Sequence, residues 1–262
     1  RKMNNAIFTY KQPENEKVLS YEPGSKERKL LEKEIEKLSS KVTKIPLIIN
    51  GREIPMGKVD SLVMPHDHKH VLATYHKASK KEVKLAINAA LNAKEKWENF
   101  SWIERASVLL KVAELLSKKY RHLINAATML GQSKNIYQSE IDAVCETVDF
   151  IRFNTYYAST IYNDQPISES GIIHRIEYRP LEGFVFAVTP FNFTSIASNL
   201  NLAPVLLGNT VVWKPATTSL LSSYLLMEIF KEAGLPDGVI NFIPGDGPDI
   251  GNEVLKHKDL AG

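Results

Sequence analysis

Apolar positions along the chain change their period at about Gly183. Upstream of it, helical spacing dominates. Pro23-Gly24-Ser25 precedes a segment with Leu31, Ile35 and Leu38 on one face, inside a polar, charge-rich stretch over residues 1–45 that reads as an N-terminal arm lying on a larger body. "IPLIINGREI" follows as a short β segment, with Asn50-Gly51 as its hairpin turn. Two helices then open on capping boxes, Ser79 with Glu82 and Ser101 with Glu104. The first turns Val83, Ile87, Ala90 and Leu91 inward, and the second Leu109, Leu110, Ala113 and Leu116. Gly131 predicts the stop of a third helix. A fourth is expected from about Ile136 to Ala158, burying Ile141, Val144, Val148 and Ile151. "QPISESGIIHRIEYRP" then turns β-like and reads as a hairpin projecting from the helical layer.

Beyond Gly183 the pattern becomes regular. Strand "FVFAV" leads to a helix ending near Leu207, Gly208-Asn209 turns the chain into strand "TVVWK", and a helix over "SLLSSYLLMEIFKEAG" is closed by Gly234 and Pro236. Strand "VINFI" follows, and "PGDGPDIGNEVL" is a glycine loop that opens another helix. This β-α-β-α-β-α order predicts an α/β fold, a parallel sheet with helices on its faces. Ligands of such sheets bind beyond the carboxyl ends of the strands. Three of those ends carry chemistry: Thr189-Pro190-Phe191-Asn192-Phe193, then Lys214, then Gly245, Asp246, Gly247 and Gly251.

Composition narrows the function classes. The 262 residues are 44% hydrophobic and 24% charged, enough for one large or two small globular domains. The 33 basic and 30 acidic residues interleave, which argues against a nucleic-acid binder. No apolar run reaches the ~18 residues of a membrane span. Arg1-Lys2-Met3-Asn4 lacks the apolar core of a signal peptide. The single cysteine, Cys145, allows no disulfide framework and points to a reducing compartment.

Each chemical feature admits a functional and a plain reading. The GxGxxxG loop lets bare backbone approach a pyrophosphate at a helix N-terminus, or is an ordinary strand-to-helix turn; its spacing is one residue longer than the usual dinucleotide fingerprint. Lys214 offers three donors to ribose hydroxyls, or is a lysine snorkelling at a strand end. The Asn192 amide could donate to an oxygen that gains charge, in a site dried by Phe191 and Phe193, or could cap the helix that follows. Cys145, on the face of Ile141, Val144 and Val148, reads as a buried structural thiol. His66, His68 and His70 read as a polar loop, since no fourth zinc ligand accompanies them.

Together "RPLEGFVFAVTPFNF", "NTVVWKPATTS" and "EAGLPDGVINFIPGDGPDIG" resemble the aldehyde dehydrogenase superfamily over nearly the whole chain. PFNFT, "GQSKNIYQSEIDAVCETVDFIRFN" and the arm "VLSYEPGSKER" are similar to the branch acting on L-glutamate γ-semialdehyde. The resemblance implies a Rossmann-like NAD-binding domain over 46–163 and 181–262, an arm over 1–45, and an oligomerisation hairpin over 164–180 through which copies of the chain would associate. It implies NAD as cofactor, a small aldehyde as substrate, and no metal, nucleic-acid or membrane partner. Asn192 corresponds to the oxyanion donor. Thr189, Pro190, Phe191, Lys214, Gly245, Gly247, Pro248 and Gly251 correspond to cofactor contacts, and Phe193 and Glu140 to substrate contacts; Glu140 could also be a solvated helix charge. Many relatives carry an acid where this chain has Thr217, a side chain that would repel a 2′-phosphate. The family's nucleophilic cysteine and general-base glutamate lie beyond the glycine loop, so this chain alone is expected to be inactive. The activity implied is oxidation of glutamate γ-semialdehyde in proline breakdown, in a bacterial cytosol or a mitochondrial matrix. The alternatives are another aldehyde substrate or a non-catalytic nucleotide-binding or assembly module.

Overall fold

The computed structural model describes residues 7–262, and the observation on Arg1 to Asn4 falls outside them. Helix α1 (Lys26–Ser39) starts where Ser25 accepts from the Arg28 N–H, and it buries Leu31 and Leu38. Strand β1 (Thr43–Ile45) precedes the expected hairpin, β2 (Leu47–Ile49) and β3 (Arg52–Ile54). Its turn puts Asn50 at φ 51° and Gly51 at φ 69°, the left-handed pair such a turn requires.

A second hairpin, β4 (Lys58–Met64) and β5 (Asp67–Lys77), pairs antiparallel, and β1 runs parallel to β5 in a three-stranded sheet. His68 and His70 therefore lie on a strand, not in a loop. Sequence periodicity missed this ladder because β4 is exposed on both faces over its first half.

Helices α2 (Lys80–Glu98) and α3 (Trp102–Ser117) carry both capping boxes in full. Helix α4 (Arg121–Gln132) runs through Gly131 and stops at Ser133, which takes the left-handed conformation with φ 54°. The expected fourth helix is three pieces in line: α5 (Ile136–Ser139), a π-helical segment (Glu140–Glu146) and α6 (Thr147–Asn163). Val144, Val148 and Ile151 face inward as expected, whereas Ile141 is only half-buried, because the wider π turns rotate it off that face.

The segment 164–180 contains no regular strand. One bridge, Glu169 to Ile172, closes a tight turn, and the remainder makes no ladder. A lone ribbon with both faces in water has too little packing to hold a hairpin; Ile167 is 91% exposed.

From Gly183 the predicted order is present: β6 (Val185–Val188), α7 (Thr194–Leu206), β7 (Val211–Lys214), α8 (Leu220–Glu232), β8 (Ile240–Phe242) and α9 (Gly247–Val254). Strands β6, β7 and β8 are parallel, and the β2–β3 hairpin extends the sheet antiparallel beside β8, in the order β3-β2-β8-β7-β6. The alternation of β7 separates two cores. Val211 and Trp213 join Leu109, Leu116, Ile124, Val148 and Phe230, while Val212 joins Val83, Ile87, Ile250 and Val254. Residues 259–262 lie along the free edge of β6, where Phe184 N–H donates to Asp259 O at 3.0 Å and Phe186 N–H to Gly262 O at 2.7 Å. Gly183 permits that approach: a Cβ there would stand 1.9 Å from Asp259 O. Among the described residues no helix is long and apolar enough to cross a membrane.

Candidate functional site

Because β6, β7 and β8 are parallel and in register, with Val188 beside Lys214, their carboxyl ends share one edge. The exit of β6 is pinned twice: Thr189 N–H donates to Lys214 O at 3.3 Å, and Trp213 Nε1–H donates to Thr189 Oγ1 at 2.9 Å. Pro190 then limits the turn. Asn192 is exposed, and its amide has no hydrogen-bond partner among the described residues.

Asn192 does not cap α7. Phe193 occupies the cap position in extended conformation (φ −137°, ψ 111°) and provides no side-chain bond. The cap comes instead from the π segment. Asp142 accepts from Thr194 N–H at 3.4 Å, Ser195 N–H at 3.3 Å and Ser195 Oγ–H at 2.9 Å. Lys134 pairs with the same carboxylate at 2.5 Å and stands 4.2 Å above the Phe193 ring. The expectation that both Phe rings dry the site needs correcting: Phe193 is half-buried, but Phe191 is 65% exposed, because its side chain leaves the turn on the solvent side.

Lys214 is half-buried and makes no hydrogen bond or ion pair among the described residues. Burial lowers its pKa, and the charge of Asp246 opposes that shift. Lys77, at the end of β5, binds Asp246 at 2.9 Å and so offsets a negative charge beside the glycine loop. Gly245 (φ 154°) lies against β5's exit, where a Cβ would come 3.0 Å from Ile250 Cδ1 and 3.2 Å from Ala78 N. Gly247 and Gly251 face open space, and Asp246, Gly247, Pro248 and Asp249 are exposed. The third strand end is thus a bare backbone turn at a helix N-terminus, suited to an anionic ligand.

Glu140 lies apart from this edge in character. It is fully buried, which excludes the solvated charge. One oxygen accepts from Arg121 Nε at 3.0 Å, from Arg121 Nη2 and from Leu19 N–H at 2.9 Å; the other accepts from Tyr21 Oη at 2.9 Å and Asn125 Nδ2 at 2.7 Å. It leaves no surface for a small molecule in the described chain, because the arm covers it. Glu16 ties the arm further to Arg121 (2.7 Å) and Arg152 (2.8 Å). Cys145 borders the same cluster, 3.5 Å from Arg121 Nη2, so its surroundings are not purely apolar. Burial and then the Glu140 carboxylate still outweigh that cation and push the thiol up to about 12. The histidines serve separate contacts, His66 Nδ1 to Ser133 Oγ at 2.7 Å and His70 Nε2 to Ser39 O at 2.9 Å.

Sequence reasoning missed Asp142, Lys134 and Arg121. Asp142 follows Glu140 by two positions, so the two carboxylates leave the π segment on different sides, Glu140 toward α4 and Asp142 toward the start of α7, and a search for one shared apolar face passes over them. A solvent-open cleft between the β2–β3 turn, α8 and residues 236–238 lies at the amino end of β8, away from all of these groups.

The sequence profile of the aldehyde dehydrogenase family matches residues 57–262. A Schizosaccharomyces pombe protein named probable delta-1-pyrroline-5-carboxylate dehydrogenase is 47% identical over 250 residues, covering 95% of this chain and 46% of that protein. The human delta-1-pyrroline-5-carboxylate dehydrogenase, mitochondrial, is 43% identical over 248 residues, 95% of this chain and 44% of its own length. Among solved structures, the Mycobacterium tuberculosis Delta-pyrroline-5-carboxylate dehydrogenase bound with NAD superposes with a TM-score of 0.95 at 47% identity, over 98% of this chain and 48% of that one. The chain spans about half the length of the curated relatives it matches.

Proposed function

The chain belongs to the aldehyde dehydrogenase family, and from there we propose that it is the cofactor-binding part of a protein that oxidises L-glutamate γ-semialdehyde to L-glutamate with NAD. The names of its relatives and the NAD in the Mycobacterium tuberculosis structure support that choice of substrate and cofactor. One observation carries it: three adjacent parallel strand ends present an amide and an ammonium that make no hydrogen bond or ion pair among the described residues, and an open glycine turn.

The residues fit the cofactor. Gly245, Gly247, Pro248 and Gly251 give backbone that a pyrophosphate can approach, and the ammonium of Lys214 suits ribose hydroxyls. Thr189, Pro190 and Phe191 line the turn between. NAD supplies the hydride acceptor. Asn192 Nδ2–H would donate to the aldehyde oxygen as that oxygen gains negative charge, and Phe193 would wall the same space. Cys145 is a buried neutral thiol, so we assign the nucleophile and the general base to residues outside this chain. In the same reading 46–163 with 181–262 forms the nucleotide domain and 164–180 meets another copy. A reducing compartment, cytosol or mitochondrial matrix, suits the single buried thiol.

The test is NADH formation by the full-length protein with Δ1-pyrroline-5-carboxylate, which equilibrates with the open semialdehyde. Turnover with that substrate, and none by residues 1–262 alone, is expected. Turnover only with unrelated aldehydes would replace the substrate. NADH production by the 262-residue chain, lost in Cys145→Ala, would overturn the assignment of the nucleophile.

A further inference from the structure

We propose that Asp142 and Lys134 are positioning residues that aim the Asn192 amide. The inference rests on the oxyanion role of Asn192 given above. That side chain is exposed and has no hydrogen bond of its own among the described residues, so what the fold holds near it is the backbone on either side. On the upstream side, Thr189 is locked to β7 by Trp213 and Lys214. On the downstream side, the backbone is held by groups from outside α7.

Asp142 is buried and accepts from both backbone N–H groups at the start of α7, while the Ser195 hydroxyl lies 2.9 Å from it and equally 2.9 Å from Glu146 Oε2. Asp142 Oδ1 accepts from Ser195 Oγ (2.9 Å) and Ser195 N–H (3.3 Å), and its Oδ2 lies 3.4 Å from Thr194 N. A carboxylate with so little water needs a cation, and Lys134 supplies it at 2.5 Å. The same ammonium sits 4.2 Å over the ring of Phe193, the residue next to Asn192. One charge pair therefore fixes both the first turn of α7 and the ring adjoining the amide. Thr194 Oγ1 is held in addition by Thr128 Oγ1 (2.9 Å) and Gln132 Nε2 (2.9 Å) of α4, so the turn has a fixed floor. Both carboxylates lie on the π segment, Asp142 directed to α7 and Glu140, two positions earlier, to the arm.

A plain helix cap would stabilise α7 without bearing on the chemistry. The two roles separate in the full-length protein through kcat, the NAD dissociation constant and the thermal midpoint of Asp142→Ala, Lys134→Met, Lys134→Arg and Asn192→Ala. Loss of alignment by a fraction of an ångström predicts that Asp142→Ala and Lys134→Met each lower kcat about tenfold to a hundredfold with NAD affinity unchanged. Lys134→Arg keeps the ion pair and the ring contact and retains most of kcat. In an Asn192→Ala background, Lys134→Met then costs no further kcat, because the group it aims is gone. A fall in thermal midpoint without a fall in kcat, or equal losses in both backgrounds, overturns the positioning role and leaves Asn192 as the donor. An unchanged kcat in Asn192→Ala overturns both. If Asp142→Ala does not fold, the contrast between Lys134→Met and Lys134→Arg decides alone.

Discussion

Asn192 stands one residue outside the cap position of α7, and that offset sets which substitutions should matter. In the full-length protein Asn192→Ala is expected to lower kcat by about a hundredfold or more, as for loss of one oxyanion donor. Asn192→Asp should be at least as harmful, since a carboxylate would face the developing charge. Neither should move the thermal midpoint much, because Asp142 provides the cap. A stable, fully active Asp variant would sink this reading. Lys214 predicts a trade in the opposite sense. Its ammonium is half-buried and makes no hydrogen bond or ion pair among the described residues, and burial outweighs the opposing charge of Asp246, so it costs stability in the free protein. Lys214→Met should raise the thermal midpoint slightly while weakening NAD binding by about 1–2 kcal/mol, the worth of lost charge-assisted hydrogen bonds. Calorimetric titration and a melting curve on the same variant check both halves; unchanged NAD affinity would mark Lys214 as a packing residue.

At the scale of elements, the helix starts were written locally and should fail locally. Ser79 and Ser101 each complete a reciprocal box with the glutamate three residues on. Ser79→Ala and Ser101→Ala are each expected to cost about 1 kcal/mol in denaturant unfolding, and to add within error because the two helix starts share no partner. A marked excess in the double variant would mean that the starts are coupled. Such boxes were legible because donor, acceptor and spacing all lie within four residues. The helix over 136–163 was legible as a helix but not as a broken one. A π segment has the same apolar content as an α turn, so apolar spacing does not tell the two apart; the partners its carboxylates find, Arg121 for Glu140 and the start of α7 for Asp142, lie on other elements.

For the whole molecule, the arm and the helical layer are joined through a buried polar cluster, and alkali should loosen that joint. Cys145, at 4% exposure, has its thiol pushed from 9.0 up to about 12, and the Tyr21 phenol beside Glu140 is raised as well, mainly by burial. Between those ordinary and native values the unfolded chain releases protons that the folded chain keeps. The folded state then binds more protons than the unfolded one, so stability falls as pH rises through this window and is undiminished below it. Denaturant midpoints for the chain should therefore decline from pH 9 toward 12, and Cys145→Ala should flatten part of the decline. A midpoint independent of pH across that range would show that the cluster opens to water more easily than its packing suggests.

The order of β6, α7, β7, α8, β8 and α9, the Asn50-Gly51 turn, the two capping boxes and the strand-end positions of Asn192, Lys214 and Gly247 were all determined by the sequence itself. Each depends on apolar period, turn chemistry or neighbours a few residues away, quantities that a linear text contains. The tertiary structure alone decided the rest. It buried Glu140 under the arm, took the task of capping α7 from Asn192 and gave it to Asp142, left Phe191 in water, and denied 164–180 a ladder. The burial of Glu140 and the capping of α7 turn on contacts between groups far apart in the chain, as Leu19 and Glu140 are by 121 positions and Asp142 and Ser195 by 53. The cost of an unpaired buried charge is settled by whichever donor the fold brings within reach, and no local pattern records that meeting.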